Sequence, residues 1–242
     1  MNQLKLVPSH GERAHAKLSP SSAHRWMRCT ASIEACRDIP NTSSIHAEEG
    51  TAAHELAENC LRENVDASFY VGNVFNGFTV DDDMASHVQQ YVDRIHALEG
   101  NLDIEVRLDL RAYAPESFGT ADAVTLNADN KRLYVGDLKY GKGVQVEAEG
   151  NEQGMLYALG ALKEYEIYSE IDEIVIGIYQ PRLNHYPQWT ISRADLLAFG
   201  ETVKTAAEEA LGPNASFNPG EKQCGWCLYK SECRALADHQ NV

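Results

Sequence analysis

Long apolar runs are missing from this chain of 242 residues. No stretch of 18 apolar residues occurs, which excludes a membrane-spanning helix. Met1 to Lys17 has no apolar segment of the kind a secretory signal needs. Residues 1–18 read instead as a flexible polar tail, and the expectation is a soluble cytoplasmic protein with no membrane partner. Basic residues are also scarce, at 21 Lys and Arg against 36 Asp and Glu, for a formal charge of −15. A protein that neutralises many phosphates usually carries a basic face, and this chain cannot be basic all over. Acidic side chains keep such a chain soluble. Any contact with nucleic acid must then run through metal ions and a local groove, or a partner must supply the grip. Internal repeats and low-complexity tracts are absent too.

What is present is ordinary for a globular domain, with 43% apolar and 24% charged residues. The length allows one sizeable core or two small ones. Ser19-Pro20-Ser21-Ser22 is a helix start with a hydroxyl cap and proline in the first turn, and a short helix carrying Trp26 is predicted to about Cys29. Residues 37–46 read as a loop. The apolar spacing predicts a helix over Glu48 to Arg62. A third helix, capped by Asp81, puts Met84, Val88, Tyr91, Val92, Ile95 and Leu98 on one face and stops at Gly100. Strands follow at 104–108, 120–126 and 133–138, with Asp129-Asn130 as a turn signal. A helix over 151–166, strands at 171–180 and 188–191, and a long helix from the Ser192 cap to about Leu211 complete the pattern. Residues 64–80, rich in Phe, Tyr and Val, read either as a packed loop or as a contact surface. The order predicts a mixed α/β fold. One domain over 19–242 divides into a helical part (19–100), a core (101–211) and a cysteine-bearing segment (212–242).

Three constellations carry chemistry. Asp137 and Lys139 are i and i+2, so a strand points both to one face. Asp122 on the neighbouring strand can join them at a sheet edge. Two carboxylates can hold a hard cation, and a lysine beside them can orient water or stabilise a developing oxyanion. His54, on the predicted second helix with Glu58 one turn on, is a candidate third ligand. Gln153 and Tyr157 share a helical face and can hydrogen-bond a phosphate or a base. Alone, each has a plain alternative: a strand-end salt bridge, a surface histidine, a tyrosine packed on the sheet.

Taken in order, His54, Gly119-Thr120-Ala121-Asp122, Asp137-Leu138-Lys139, Gln153 and Tyr157 resemble the RecB-like PD-(D/E)XK nucleases, over roughly residues 19 to 235. The chain looks like the compact phage and CRISPR-associated RecB-type exonucleases. The resemblance implies a restriction-endonuclease-like core and a metal-dependent exonuclease hydrolysing phosphodiester bonds at DNA ends. It implies Mg²⁺ or Mn²⁺ on His54, Asp122, Asp137 and the backbone carbonyl of Leu138. Lys139 would be catalytic with the two aspartates, and Gln153 and Tyr157 would line the DNA path. The setting would be recombination, repair or replication in a bacterial or phage-infected cytosol, with a recombination or single-strand-binding protein as partner. Many relatives have glutamate where Asp137 stands, which bears on metal preference. The alternative is a catalytically silent DNA-binding or scaffold module.

The six cysteines lie at 29, 36, 60, 224, 227 and 233. Without a secretion signal disulfides are not expected, and Cys36 and Cys60 read as small apolar helix residues. Cys224-x2-Cys227-x5-Cys233 is a tight thiolate group with Gly225-Trp226 as a turn. Either His239 or Cys29 can complete it, and thiolates suit zinc as well as iron–sulfur clusters. Iron–sulfur members of the resembled family place one cysteine before the core and three after it. That resemblance implies a 4Fe–4S cluster on Cys29, Cys224, Cys227 and Cys233.

Overall fold

The structure, a computed structural model, describes residues 16–40 and 43–240. Its centre is a mixed five-stranded sheet: β3 (Asn101–Asp109), β4 (Phe118–Asn127), β5 (Arg132–Leu138), β6 (Glu173–Tyr179) and β7 (Gln188–Ser192), side by side in that order. Ahead of it lie α1 (Ala23–Trp26), α2 (Ser32–Ala35), α3 (Ile45–Glu63), a two-stranded hairpin of β1 (Val74–Phe75) and β2 (Phe78–Thr79), and α4 (Asp82–His96). Every pairing in the five-stranded sheet is antiparallel except β5 with β6. A parallel pair needs a crossover, and α5 (Glu152–Tyr165) supplies it. The chain closes with α6 (Arg193–Leu211), α7 (Glu221–Cys224) and α8 (Arg234–Gln240).

Helices cover both faces. On one, Trp26, Leu156, Leu159, Leu162, Leu196 and Val203 pack on Leu133, Val135, Ile174 and Ile176. On the other, Leu56, Val88, Tyr91 and Ile95 pack on Ala123, Leu138 and Tyr179. The helix starts follow capping chemistry. Side-chain oxygens of Ser44, Asp81, Asn151 and Ser192 accept from the backbone N–H of Ala47, Met84, Gly154 and Asp195, respectively.

Several expectations need correction. Of the tail expected at 1–18, residues 1–15 lie outside the described residues. Ala16 and Leu18 are buried, and the Leu18 carbonyl accepts from the Ser117 hydroxyl at 2.7 Å. Pro20–Ser22 forms a 3₁₀ turn before α1, without the Ser19 side-chain cap, and α1 ends at Trp26. The loop expected at 37–46 ends at Ser44, which caps α3. The 64–80 stretch holds a 3₁₀ turn at Ala67–Tyr70 and the β1–β2 hairpin, with Tyr70 buried and Phe69 and Val74 exposed. The carboxylates do not meet at a sheet edge, because β5 is the central strand.

The sheet has one irregularity, and it lies at the site. Leu102 and Ile104 of β3 pack with the α3–α4 layer, whereas Val106 and Leu108 pack with the α5–α6 layer. A regular strand would put all four on one face. Glu105 between them takes φ +55°, and the strand changes face there. Opposite it on β4, Ala121 faces the α5 layer and Ala123 the α4 layer. Asp122 sits at that switch, where the β4–β5 ladder, last paired at Ala123 and Gly136, has ended.

Gly119 shows how closely the site's supports approach one another. A Cβ there would fall 2.6 Å from Tyr157 Cε1 and 2.9 Å from Pro20 Cγ. Gly119→Ala is therefore expected to lower stability by about 1–3 kcal/mol through overpacking. Urea denaturation checks this, and an unchanged midpoint would show that the ring and the proline move aside freely.

Candidate functional site

Asp122 is fixed from two sides. Its Oδ2 accepts from the Leu138 backbone N–H at 2.7 Å, and its Oδ1 lies 3.2 Å from His54 Nδ1 on α3. Thus a side chain on β4 satisfies a backbone group of β5 where the ladder stops. Burial pushes the Asp122 carboxyl up. The His54 ring, the Leu138 N–H and Lys139 together outweigh it, so the net shift is downward. His54, Glu105 and Asp122 bring ligand atoms within 4.8 Å of one another. One imidazole and two carboxylates suit a small divalent cation. Ala57, Glu58, Leu61, Tyr91, Ile104 and Leu138 line the same recess.

Glu105 was not singled out by its sequence, where Ile104-Glu105-Val106-Arg107-Leu108 reads as plain alternation with Glu105 facing solvent. The change of face at Glu105 carries it into the recess instead. An acid flanked by apolar residues on a strand that pairs with the Gly-Thr-Ala-Asp strand was the available signal.

Asp137 and Lys139 meet as expected, on the α5 side. Lys139 Nζ lies 2.8 Å from Asp137 Oδ2 and donates to Gln153 Oε1 at 2.9 Å. The Gln153 amide nitrogen reaches Asp137 Oδ1 at 3.3 Å and the Tyr157 hydroxyl at 3.1 Å. Asp137 is therefore drawn to the ammonium, and the cation-ligand group assembled here contains Glu105 rather than Asp137. Asp137 Oδ2 has the ion-pair distance to Lys139 but lacks hydrogen-bond alignment. Burial raises the Asp137 carboxyl, Lys139 opposes this, the Asp122 charge adds to it, and the net shift is upward. Tyr157 is only 7% exposed, packed between α5 and Gly119. Its contacts, like those of Gln153, describe a support for Lys139 and Asp137 rather than a wall of an open groove.

The thiols gather where the segment after α1 meets the segment around α7. Cys29, Cys224, Cys227 and Cys233 line one recess with Ser32, Phe217, Gln223 and Tyr229. Hydrogen bonds close its wall. Asn218 N–H and Gly220 N–H each donate at 3.4 Å, to Cys29 Sγ and Cys224 Sγ. Asn218 Nδ2 donates to the Arg28 carbonyl at 3.0 Å, and Ser216 N–H to Thr30 Oγ1 at 2.9 Å. His239 lies in a neighbouring recess that shares Cys224 but none of the other thiols. Cys29 is therefore the residue brought to the other three. Cys36 departs from its reading as a plain core residue, since its sulfur lies 3.8 Å from that of Cys227. Cys60 keeps that reading, buried in α3 with its thiol pushed up to about 12 by burial.

Donors surround the thiols. Besides the two N–H···S contacts, Ser32 Oγ on the recess wall is buried without a partner, and so is Arg25 Nε, whose guanidinium acts electrostatically on Cys227. A single tetrahedral zinc ion would need all four sulfurs about 3.8 Å apart. Among the described residues, the one group of metal-binding side chains with ligand atoms mutually within 4.8 Å is His54, Glu105 and Asp122. The four thiols are not all within that distance of one another.

Fold and site together define an α/β protein with a central mixed sheet flanked by helices, carrying a histidine–carboxylate group at a fork between two strands. The chain belongs to the family described as "Protein of unknown function (DUF2800)", whose model matches residues 15–242. Among solved structures it is similar to the crystal structure of SSO0001 at 13% identity. That match covers 87% of this chain and 96% of the other, with a TM-score of 0.37.

The buried acids give one testable consequence. Burial and the charge of Asp122 push the Asp137 carboxyl up against the opposing pull of Lys139. In EDTA, Asp137→Asn is expected to raise the thermal midpoint by a few degrees. Differential scanning fluorimetry measures it, and a lower midpoint would mean that the Lys139 pair dominates instead.

Proposed function

We propose that this chain is a metal-dependent deoxyribonuclease of the RecB-like PD-(D/E)XK type, hydrolysing phosphodiester bonds at DNA ends. One observation carries the reading: His54, Glu105 and Asp122 converge at a strand fork beside the linked Asp137–Lys139–Gln153 set. The mixed sheet with helices on both faces is compatible with a restriction-endonuclease-like core.

The residues fit Mg²⁺ or Mn²⁺, with His54, Glu105 and Asp122 as ligands. A divalent cation there would supply Lewis acidity, neutralising charge on a phosphoryl oxygen and lowering the pKa of water. Lys139 is held at a fixed height above the strand end by Asp137 and Gln153. Its ammonium can orient the attacking water and offset the charge that develops on the phosphoryl group. Gln153 acts through Lys139, and Tyr157 acts through Gln153. The Leu138 N–H keeps Asp122 oriented so that it need not reorganise as charge develops.

The thiol recess fits a 4Fe–4S cluster on Cys29, Cys224, Cys227 and Cys233, with Ser32 and Arg25 as neighbouring donors. Its role in this reading is structural: four thiolates would fasten α1 to the segment around α7, closing a very long loop.

Two experiments test these readings. Labelled single- and double-stranded DNA incubated with Mn²⁺, Mg²⁺ or EDTA should be degraded only with metal. Asp137→Ala and Lys139→Ala should lose cleavage by at least about 100-fold while keeping the wild-type circular dichroism spectrum. No metal-dependent loss of DNA would instead favour a silent DNA-binding module. For the thiols, anaerobically purified protein should be coloured and contain iron and sulfide, whereas Cys227→Ser should be colourless and melt lower. A colourless wild type containing zinc would assign the recess to that metal.

A further inference from the structure

Tyr91 is the one side chain of the metal recess whose polar atom has no described use. It sits on α4, is 1% exposed, and its ring meets Tyr179 edge-on at 5.3 Å between centroids. It lines the recess with His54, Glu58, Glu105 and Asp122, yet its hydroxyl is buried without a hydrogen-bond partner. A buried hydroxyl left unpaired costs about 1–3 kcal/mol. Leucine or phenylalanine would fill the same space without that cost, so the hydroxyl is best explained by a state in which it is used.

The arrangement around Asp122 indicates which state. Both Asp122 oxygens are engaged, Oδ2 by the Leu138 N–H and Oδ1 by His54 Nδ1. Nδ1 is the ring nitrogen beside the carboxylates. When it faces a cation it presents a lone pair and no proton. The His54–Asp122 contact then ceases to be a hydrogen bond, and the carboxylate regains acceptor capacity. Tyr91 is the only neutral hydroxyl among the side chains lining this recess. Ionised carboxylates only accept hydrogen bonds, so toward them this hydroxyl can act only as a donor.

We propose that Tyr91 is a positioning residue of the cation site, donating to the Asp122–Glu105 carboxylates when these hold a divalent ion and left unpaired when they do not. The inference rests on the reading of His54, Glu105 and Asp122 as a metal site. Outer donors of this kind typically govern about 10- to 100-fold in metal affinity. The hydroxyl would thus couple metal loading to the α4 layer, because its partner and the ion arrive together.

The test uses Mn²⁺ and the whole chain. Calorimetric titration should show Mn²⁺ binding by wild type and binding at least about 10-fold weaker by Tyr91→Phe. In EDTA the same variant should melt at or above the wild-type temperature, because an unpaired buried hydroxyl has been removed. That combination separates positioning from a merely structural role, which would lower the metal-free midpoint. Equal Mn²⁺ affinity, or a lower midpoint in EDTA, overturns the inference. If wild type binds no Mn²⁺, the metal-site reading itself fails, and the inference with it. Should Tyr91→Phe not fold, Tyr91→Met also lacks the hydroxyl and is titrated in its place, with the same outcomes.

Discussion

The site depends on a single hydrogen bond across the end of a ladder. β4 and β5 pair as far as Ala123 and Gly136, and then the Asp122 carboxylate accepts the Leu138 N–H at 2.7 Å. Backbone polar groups inside a protein must be satisfied, so an acid at this position is held in place by the sheet itself. The strands separate there, and the space between them admits His54 from α3. Asp137, one residue earlier on the central strand, faces the opposite layer and meets Lys139 and Gln153. The same fork therefore presents acids to both sides of the sheet within a few residues of chain.

Holding Asp137 this way opposes stability. Burial and the charge of Asp122 raise its cost of ionisation, and Tyr91 keeps an unpaired hydroxyl in the neighbouring recess. The rest of the molecule offsets this through two well-filled layers and through the tie between chain ends. Residues 28–30 and 216–218 exchange hydrogen bonds, and α7 packs on α1. Trp26, on α1, is fully buried and donates its indole N–H to the Ser19 carbonyl at 3.0 Å. α7, which carries Cys224 of the thiol recess, packs on α1, and α1 packs on α5, the helix that carries Gln153.

The regular parts of this architecture were legible in the sequence because local chemistry marks them. Asp81, Asn151 and Ser192 announce helix starts, and the i, i+3, i+4 apolar spacing shows which faces α3 and α4 bury. The Asp137–Lys139 pair followed from strand alternation alone. What stayed hidden depends on breaks in that alternation or on contacts between distant segments. Glu105 reads as a solvent-facing strand residue until its left-handed backbone turns the strand over. Cys36 reads as core until α2 brings it to Cys227, across 191 positions of chain. Tyr157 was expected beside a strand of DNA. Gly119 leaves room for its ring against the sheet, where the plainer alternative of a packed tyrosine applies.

The charge distribution constrains the proposed chemistry further. Around the fork, Glu58, Glu105, Asp122 and Asp137 outnumber the cationic or potentially cationic His54, Lys139 and Arg62, and Arg62 is already paired with Glu58 at 2.8 Å and Lys139 with Asp137. Arg182 is tied to Glu49 at 2.9 Å. A phosphate approaching this surface meets net negative potential, consistent with a formal charge of −15 over the whole chain. Binding that relies on counterion release from a basic face is not open to such a surface. Under the proposed reading the divalent ion must therefore do two things at once. It offsets the repulsion between the acids that hold it, and it provides the local positive charge that a phosphodiester needs to come within reach of Lys139. Affinity for the substrate and stability of the folded site then rise together with metal loading, because both are limited by the same uncompensated carboxylates.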